Sequence, residues 1–230
     1  MQKLKKLLES APQILQDTTQ ECALERAKDF CQNLLVWNAT HNLSGAKKIS
    51  QVEENIIDSL LPFAFISPFS SCLDVGSGAG FPALVMALAR PKVDFHLCEP
   101  RAKRVAFLSF IATKLGLENL HIHKSRIQSL VATQENLAKS SAKKARDFEL
   151  ITSRALMDSK SLILATQEIL EPNGHWLFFK GSQSGDFSDL GYDMLRVCAR
   201  DLAKNLNFGC ANSYNSERIY LYICQKSQLT

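Results

Sequence analysis

The sequence has no long uninterrupted apolar run, and this absence argues against a membrane-spanning helix. Its longest apolar stretches, such as 59–66, are broken by Pro62 or by polar residues. They are far shorter than the roughly 20 residues that a spanning helix needs. The first ten residues mix Lys with Leu, and Pro12 and Asp17 follow before any long apolar core develops, which is not the pattern of a secretion signal. The composition predicts a cytoplasmic protein without a membrane segment.

Cysteine patterns typical of metal sites and disulfide frameworks are also absent. The seven cysteines are widely scattered and include no CxxC pair, so neither kind of site is indicated. His121 and His123 stand two residues apart on one expected strand. Because no third ligand stands at a recognisable spacing, we expect them to be structural and expect no bound metal. The net charge of +4 is compatible with a nucleic-acid partner but is too small to indicate one.

What the sequence does contain is a change of pattern after about residue 67. Before it, apolar residues recur at helical spacing from 19 to 38 and again from Ser50, where Ser50 and Glu53 stand at the spacing of a capping box. After it, short apolar runs alternate with amphipathic stretches, which is typical of an α/β fold with a parallel sheet and crossover helices. We therefore predict an N-terminal helical extension over 1–67 and a Rossmann-like domain over 68–230, together one compact unit.

The second region contains six predicted strands. Their positions, within about two to four residues, are 71–75, 93–98, 120–123, 148–152, 175–179 and 218–225. The stretch from Met194 to Leu206 has apolar residues at helical spacing and is predicted to be a helix. The polar, basic segment 137–146 is predicted to be a loop between the third and fourth strands.

The central motif is a glycine-rich turn between the first strand and the following helix, LDVGSGAGFP at 73–82. Glycines at alternate positions let the backbone approach a ligand closely, and free amides at the start of a helix donate hydrogen bonds. The dinucleotide fingerprint G-x-G-x-x-G would need its third glycine at position 81, where this chain has Phe81. The spacing therefore argues against a nicotinamide dinucleotide.

Side chains at three strand ends complete the expected pocket. Asp74 precedes the loop, where a carboxylate suits the ammonium group of a methionine moiety better than a pyrophosphate. Glu99 ends the second strand, where a carboxylate can accept hydrogen bonds from both ribose hydroxyls of an adenosine. After the third strand, Ile127 can pack on an adenine face while Gln128 or nearby backbone meets the base edge. Together these residues favour S-adenosylmethionine over NAD.

The chain resembles the glucose-inhibited division protein B family, bacterial enzymes that methylate N7 of a guanine in 16S ribosomal RNA. The resemblance covers most of the chain and rests on motifs in matching order, which are Trp37-Asn38, Asn42-Leu43, Asp58-Ser59-Leu60, the loop at 74–82, Lys103-Arg104-Val105, Phe107-Leu108, Ser125-Arg126, Ser153-Arg154-Ala155 and Lys180-Gly181. It implies a class I S-adenosylmethionine-dependent methyltransferase with Gly78 shaping the loop. The implied cofactor contacts are Gly76, Phe81, Glu99, Ile127, Gln128 and Arg154.

The resemblance also implies a partner and a reaction. The partner is 16S ribosomal RNA or the small ribosomal subunit, with RNA contacts expected at Arg126 and Lys180 and a monomeric enzyme. Guanine N7 carries an in-plane lone pair and no proton, so no catalytic proton-transfer residue is expected and alignment of the reactants supplies the rate enhancement.

The chain departs from the family pattern at Ala83, Glu99 and Gln128, where Gly, Asp and Glu are usual. Two other functions therefore stay open at this point. One is a ribosome-binding or assembly protein that keeps the pocket without turnover, and the other is methyl transfer to a different acceptor. A nicotinamide oxidoreductase ranks third, and comparing the binding of NADH with that of S-adenosylmethionine would separate it.

Overall fold

The fold is a seven-stranded sheet with helices on both faces, preceded in the chain by three helices. The computed structural model describes residues 1–140, 148–154, 158–181, 191–208 and 218–225. The helices in these ranges are α1 (Gln2–Ser10), α2 (Gln20–His41), α3 (Ile49–Leu60), α4 (Ala83–Ala89), α5 (Ala102–Leu115), α6 (Ile127–Ser140), α7 (Ser159–Thr166) and α8 (Ala199–Asn205). The strands are β1 (Ser71–Val75), β2 (Asp94–Cys98), β3 (Leu120–His123), β4 (Phe148–Arg154), β5 (Leu170–Lys180), β6 (Tyr192–Cys198) and β7 (Ile219–Gln225).

The strand order places the middle of the sheet at β1 and β4. The order is β3-β2-β1-β4-β5-β7-β6. The first five strands in this order are parallel, whereas β7 is antiparallel to β5 and to β6. The chain runs outward in one direction from β1 to β3 and in the other from β4, so the order reverses between β1 and β4. Ligands of open α/β sheets bind outside the carboxyl ends of the strands at such a reversal.

The helix α4 explains why the first three helices are packed where they are. All seven of its residues, ALVMALA, are buried, and a helix that is apolar on every side must be covered on every side. The sheet covers one side, and α2 and α3 cover others. One apolar cluster accordingly runs from Leu4 in α1 through α4 to Tyr222 in the sheet. The boundary at residue 67 stays a prediction, and the core is continuous across it.

A second apolar cluster lies on the other face of the sheet, under α6 and α7. It includes Val75, Ile127 and Ile163. Alternation along the strands divides residues between the two clusters: Cys72 belongs to the first, and Leu73 and Val75 to the second. This alternation follows from the period of two in a strand. The two faces of the sheet are therefore covered by different helices.

The expected capping box at the start of α3 is wrong in its residues. The helix begins at Ile49, and the Gln51 side chain accepts hydrogen bonds from the backbone N–H groups of Lys47 and Lys48 at 2.7 and 3.2 Å. Glu53 is buried, and its Oε1 lies 2.8 Å from the Met1 ammonium. Either Gln or Glu can accept these backbone hydrogen bonds in a capping box. Because Gln51 does so here instead of Glu53, the helix starts earlier than Ser50.

The structure also corrects two expectations at the edge of the sheet and after β3. Most of the first half of 194–206, predicted as helix, belongs to β6, and α8 begins only at Ala199. The backbone of β6 pairs with β7 from Tyr192 to Cys198, and this pairing overrides the helical spacing of the side chains. The predicted loop at 137–146 begins as helix, since α6 continues to Ser140. Residues 141–146 lie outside the described ranges.

Candidate functional site

The carboxyl ends of the three strands that precede the candidate site are joined by backbone hydrogen bonds. Gly76 N–H donates to the Cys98 carbonyl at 2.8 Å, and Glu99 N–H donates to the His123 carbonyl at 3.0 Å. These bonds extend the pairing of β1, β2 and β3 by one step beyond the strands. They bring the glycine loop, Glu99 and the start of α6 to one edge of the sheet, as the parallel order predicts.

Glu99 contacts both the glycine loop and the start of α5. Its side chain is only 2% exposed. Its Oε2 accepts a hydrogen bond from Gly78 N–H at 2.9 Å, and its Oε1 accepts one from Arg101 N–H at 2.9 Å. Arg104 Nη1 lies 3.5 Å from Oε2. Contacts on both of its carboxylate oxygens hold Glu99 in one orientation at the mouth of the loop.

The glycine at position 80 is required by packing as well as by backbone conformation. Gly80 has a φ of 95°, a conformation that side chains with a Cβ rarely adopt. A Cβ there would lie 3.0 Å from the Cβ of Leu84 and 3.4 Å from Cδ2 of Leu108. The loop therefore sits directly on α4 and α5. Gly78, with a φ of 58°, forms the turn that presents its N–H to Glu99.

A cavity opens beside the loop at the same edge of the sheet. Its volume is about 270 Å³, and its lining residues are Val75, Gly76, Cys98, Pro100, Ser125, Arg126, Ile127 and Gln128. The structure thus brings together Gly76, Ile127 and Gln128 as the sequence predicted, with Arg126 beside them. Small-molecule sites usually occupy about 300–1,000 Å³. A cavity of this size fits one part of a cofactor, such as an adenine with its ribose.

Asp74 lies beneath the loop and does not line this cavity. Its side chain is fully buried. Thr152 Oγ1 donates a hydrogen bond to its Oδ1 at 2.8 Å, whereas Oδ2 accepts none from the part of the chain that the structure describes. Removal from water raises the pKa of Asp74 to about 7, and the Thr152 hydrogen bond acts in the opposite direction. A buried carboxyl with one unused oxygen is suited to receive a cation.

Arg154 and Phe81 contact each other rather than the cavity. The Arg154 guanidinium lies 5.6 Å from the centroid of the Phe81 ring, and its Nη2 donates a hydrogen bond to Asn55 Oδ1 in α3. Phe81 packs in turn edge-on against Phe30 of α2, with ring centroids 5.4 Å apart. The two predicted cofactor contacts therefore join the loop to α2 and α3. Asn55 was not predicted, and no motif in the sequence marks it.

Lys180 follows Phe179, the residue of β5 that pairs with Arg154 of β4. It ends β5, two strands away from β1, and it does not line the cavity. Burial lowers the pKa of its ammonium, and Asp158 acts in the opposite direction. The Lys180 carbonyl accepts a hydrogen bond from Arg218 Nη1 at 3.4 Å. Its placement alone assigns it no contact with a cofactor.

The histidines of β2 and β3 pack together and do not line the cavity. His96 Nδ1 lies 2.9 Å from His123 Nε2, and the His96 ring stacks on His123 with centroids 5.1 Å apart. His121 lies 4.6 Å from His96 by the same measure. Among the residues that the structure describes, no group of three His, Cys, Asp or Glu side chains is arranged to hold a metal ion. A helix long and apolar enough to cross a membrane is likewise not found in the described ranges.

The fold and this edge of the sheet together define a class of enzyme. Class I S-adenosylmethionine-dependent methyltransferases have a sheet in this strand order with one antiparallel strand. They also have a glycine loop after β1 and an acidic residue after β2, and this chain has all of these features. Solved structures have the same fold. A methyltransferase from Geobacter sulfurreducens matches with a TM-score of 0.56 at 9% identity, covering 86% of this chain and 88% of that one. A SAM-dependent methyltransferase from Aquifex aeolicus matches at 0.50 and 15% identity, covering 76% and 92%.

Sequence comparison identifies the family within that class. The family model described as GidB, rRNA small subunit methyltransferase G, matches residues 23–200. The ribosomal RNA small subunit methyltransferase G of Helicobacter pylori strain ATCC 700392 / 26695 is 46% identical over 159 residues, covering 69% of this chain and 83% of the relative. That of Wolinella succinogenes is 43% identical over 160 residues, covering 70% and 76%. The chain belongs to the GidB family, and the resemblance inferred from its motifs is confirmed.

Proposed function

We propose that this protein transfers a methyl group from S-adenosylmethionine to N7 of a guanine in the 16S ribosomal RNA of the small subunit. The observation that carries the proposal is the Glu99 carboxylate, held by two backbone N–H groups and placed in the chain between Cys98 and Pro100, which line the cavity, in a chain of the GidB family. The relatives in Helicobacter and Wolinella bear the name of a ribosomal RNA small subunit methyltransferase. The guanine N7 position rests on what is known of the family.

The residues present fit the cofactor at both of its ends. Glu99 stands where it would accept hydrogen bonds from the ribose hydroxyls, and Ile127 and Gln128 line the space for the adenine. The buried Asp74 carboxyl, with its unused Oδ2, provides negative charge for an ammonium group. When bound, S-adenosylmethionine supplies a methyl group on a positively charged sulfur. Glu99, Ile127 and Gln128 would hold its adenosine part, and Asp74 would hold its methionine part.

The contribution of the protein to the reaction is alignment rather than proton transfer. Guanine N7 has an in-plane lone pair and carries no proton, so no general base is required. Holding the base and the methyl donor in line can contribute as much as about 7–11 kcal/mol in favourable cases. Arg154, fixed by Asn55 and by the Phe81 ring, is the side chain that we assign to orienting the reactants. Arg126 and Lys180 are proposed to contact RNA phosphates.

The proposal is tested by methyl transfer to the proposed substrate. Small ribosomal subunits from a strain that lacks the protein are incubated with the enzyme and S-adenosylmethionine labelled in its methyl group. The labelled RNA is then reduced with borohydride and cleaved with aniline, which breaks the chain only at N7-methylguanine. The expected result is label in one 16S position that aniline cleaves. Label on a protein, or in RNA that aniline does not cleave, would overturn the proposed acceptor.

Two further expectations concern the molecule as a whole. We propose that the enzyme is a cytoplasmic monomer, as the sequence predicted. Gel filtration with light scattering would give a mass near 25.7 kDa for a monomer. A mass twice as large would contradict it.

A further inference from the structure

The outward face of α5 carries a row of residues that the cofactor site does not use. The helix reads AKRVAFLSFIATKL from Ala102 to Leu115. Lys103, Phe110 and Lys114 are seven and four residues apart, so they lie on one face of the helix. All three are exposed. With Trp37 of α2, which contacts Phe110, we name these four residues the α5 stripe.

An exposed aromatic ring, Phe110, packed on the half-buried Trp37, forms the middle of the α5 stripe. Phe110 is 40% exposed. The centroids of the Phe110 and Trp37 rings are 5.6 Å apart, with 35° between the ring planes. Trp37 is anchored from below by the buried Phe107, whose ring centroid is 5.5 Å from its own. Trp37 is half-buried and packs against the core, so it fixes the Phe110 ring, which is the member of the pair that faces water.

The charge of the α5 stripe is of one sign. The helix contains Lys103, Arg104 and Lys114 and no acidic residue. Lys114 Nζ lies 5.8 Å from the Phe110 ring centroid and donates a hydrogen bond to Asn33 Oδ1 at 3.1 Å. Asn33 is a neutral partner and leaves the charge of the ammonium uncompensated. An aromatic surface flanked by cations matches a polyanion with flat bases better than it matches an apolar or acidic protein surface.

The α5 stripe begins beside the cofactor site. The helix starts three residues after Glu99, and Lys103 lies in its first turn. From Lys103 to Lys114 the helix advances about 16 Å, which is the length of a few nucleotides. A strand whose target base sits at the mouth of the cavity can thus continue along α5. His41, with its ring centroid 5.3 Å from that of Trp37, extends the surface in the same region.

We propose that the α5 stripe binds a single-stranded segment of the RNA substrate next to the methylated base, with one unpaired base stacked on Phe110. Lys103 and Lys114 contact the phosphates on either side. This inference rests on the proposed RNA methyltransferase function and adds the surface that holds the substrate. Single-stranded RNA is commonly recognised in this way, because every base has a face that stacks on an aromatic ring.

The test compares substitutions at Phe110 in steady-state methylation of small subunits from a strain that lacks the protein. Stacking contributes enough per base that we expect Phe110→Ala to raise the KM for subunits by about fivefold to tenfold, and Phe110→Leu to do the same. Phe110→Trp should stay within about twofold of wild type, because it preserves stacking. The kcat at saturating subunits and the affinity for S-adenosylmethionine should not change. Leu164→Ala, which removes another exposed apolar side chain (52% exposed), is the matched control.

Two measurements identify the partner itself. Affinity falls as salt rises, and Lys114→Gln should make the plot of log affinity against log salt shallower by about one unit of slope, as expected for one lost phosphate contact. A photoreactive benzophenone introduced as Phe110→p-benzoylphenylalanine should crosslink to 16S RNA in small subunits, giving a product that ribonuclease degrades. Crosslinking only to a ribosomal protein would overturn the proposal, as would a wild-type KM for Phe110→Ala or for Phe110→Leu.

The two proposals fail separately. If wild-type enzyme methylates the subunits and the Phe110 variants behave like wild type, the α5 stripe is not an RNA-binding surface and the proposed function stands. If wild-type enzyme transfers no methyl group to RNA, the proposed function fails. Crosslinking at position 110 still decides whether this surface contacts RNA.

Discussion

The buried carboxyl of Asp74 makes the stability of the unliganded protein depend on pH. Its pKa is raised from 3.8 to about 7, chiefly by burial. Between these two values the folded protein keeps a proton that the unfolded chain has released. Raising the pH through this window therefore lowers the free energy of unfolding. Above about pH 7 the cost of the buried charge is fully present and no longer changes.

The size of this effect follows from the shift. One pKa unit corresponds to about 1.4 kcal/mol. From pH 5 to pH 7 the carboxyl should lower the free energy of unfolding by about 2 to 3 kcal/mol. Asp74→Asn removes the titration, keeps the shape and leaves a carbonyl oxygen for the Thr152 hydroxyl. We therefore expect this variant to be more stable than wild type at pH 8, and the difference to shrink as the pH falls to 5.

Urea unfolding at several pH values between 5 and 9 measures this difference, and Asp29→Asn serves as the control. Asp29 lies in α2 with its side chain exposed, so its substitution should leave the pH profile unchanged. A wild-type protein whose stability relative to Asp74→Asn is constant across this range would refute the reasoning.

The cofactor supplies a second readout: an ammonium near Asp74 favours its charged form, so binding should release a proton near pH 6 and weaken in Asp74→Asn.

Two further predictions concern the loop and its support. Gly80→Ala forces a Cβ to within 3.0 Å of Leu84 at a φ of 95°, so it should cost about 1–3 kcal/mol of stability and weaken cofactor binding. Gly45→Ala is the control, because a Cβ there meets nothing within 4 Å, and it should change neither quantity. Thermal unfolding measures stability and calorimetry measures cofactor binding; equal effects of the two variants would contradict the packing argument. Thr152→Val removes the hydroxyl that donates to Asp74 Oδ1 at 2.8 Å, and should cost about 1–3 kcal/mol at pH 8 and less at pH 5 in urea unfolding. A loss that is the same at both pH values would mean that the hydrogen bond does not serve the charged form.

Much of the fold could be predicted because most strands are marked by a local sequence pattern, a short apolar run next to turn residues. β1 was placed at Ser71–Val75 from a short apolar run followed by glycines, and the structure has the same bounds. Pro172-Asn173-Gly174 is a turn signal, and for that reason the sequence predicts that β5 starts after it. The strand in fact begins at Leu170, five residues before the expected start. The pairing of β4 with β5 shifts register between Phe148 and Leu150. This irregularity admits the turn-forming residues into the strand.

The edge strand β6 could not be predicted, because its side chains and its backbone favour different structures. Met194, Val197, Leu202 and Leu206 recur at helical spacing, and periodicity reports only where side chains point. What makes 192–198 a strand is the row of backbone groups on β7 that it satisfies. Its partner residues, from Ile219 to Gln225, stand more than twenty positions later in the chain. A pattern that needs a distant partner is invisible in a local window.

The candidate site divides in the same way. The residues Gly76, Ile127 and Gln128 were predicted from their places after strands, and they line one cavity. Spacing could not show that Glu99 is held by Gly78 and Arg101. Such contacts depend on how two loops approach each other.

The central claim is that S-adenosylmethionine binds at the edge of the sheet beside Glu99. Equilibrium binding of labelled S-adenosylmethionine to the purified wild-type protein, with Glu99→Gln and Glu118→Gln in parallel and NADH as a competitor, tests it most directly. The Glu99 carboxylate accepts hydrogen bonds from two backbone N–H groups. A Gln at position 99 would turn its amide N–H toward one of these groups, so that two donors face each other. We predict that Glu99→Gln lowers the affinity at least about tenfold, that the exposed Glu118→Gln leaves it unchanged, and that NADH does not compete. Wild-type affinity in Glu99→Gln, or displacement by NADH, would contradict the account.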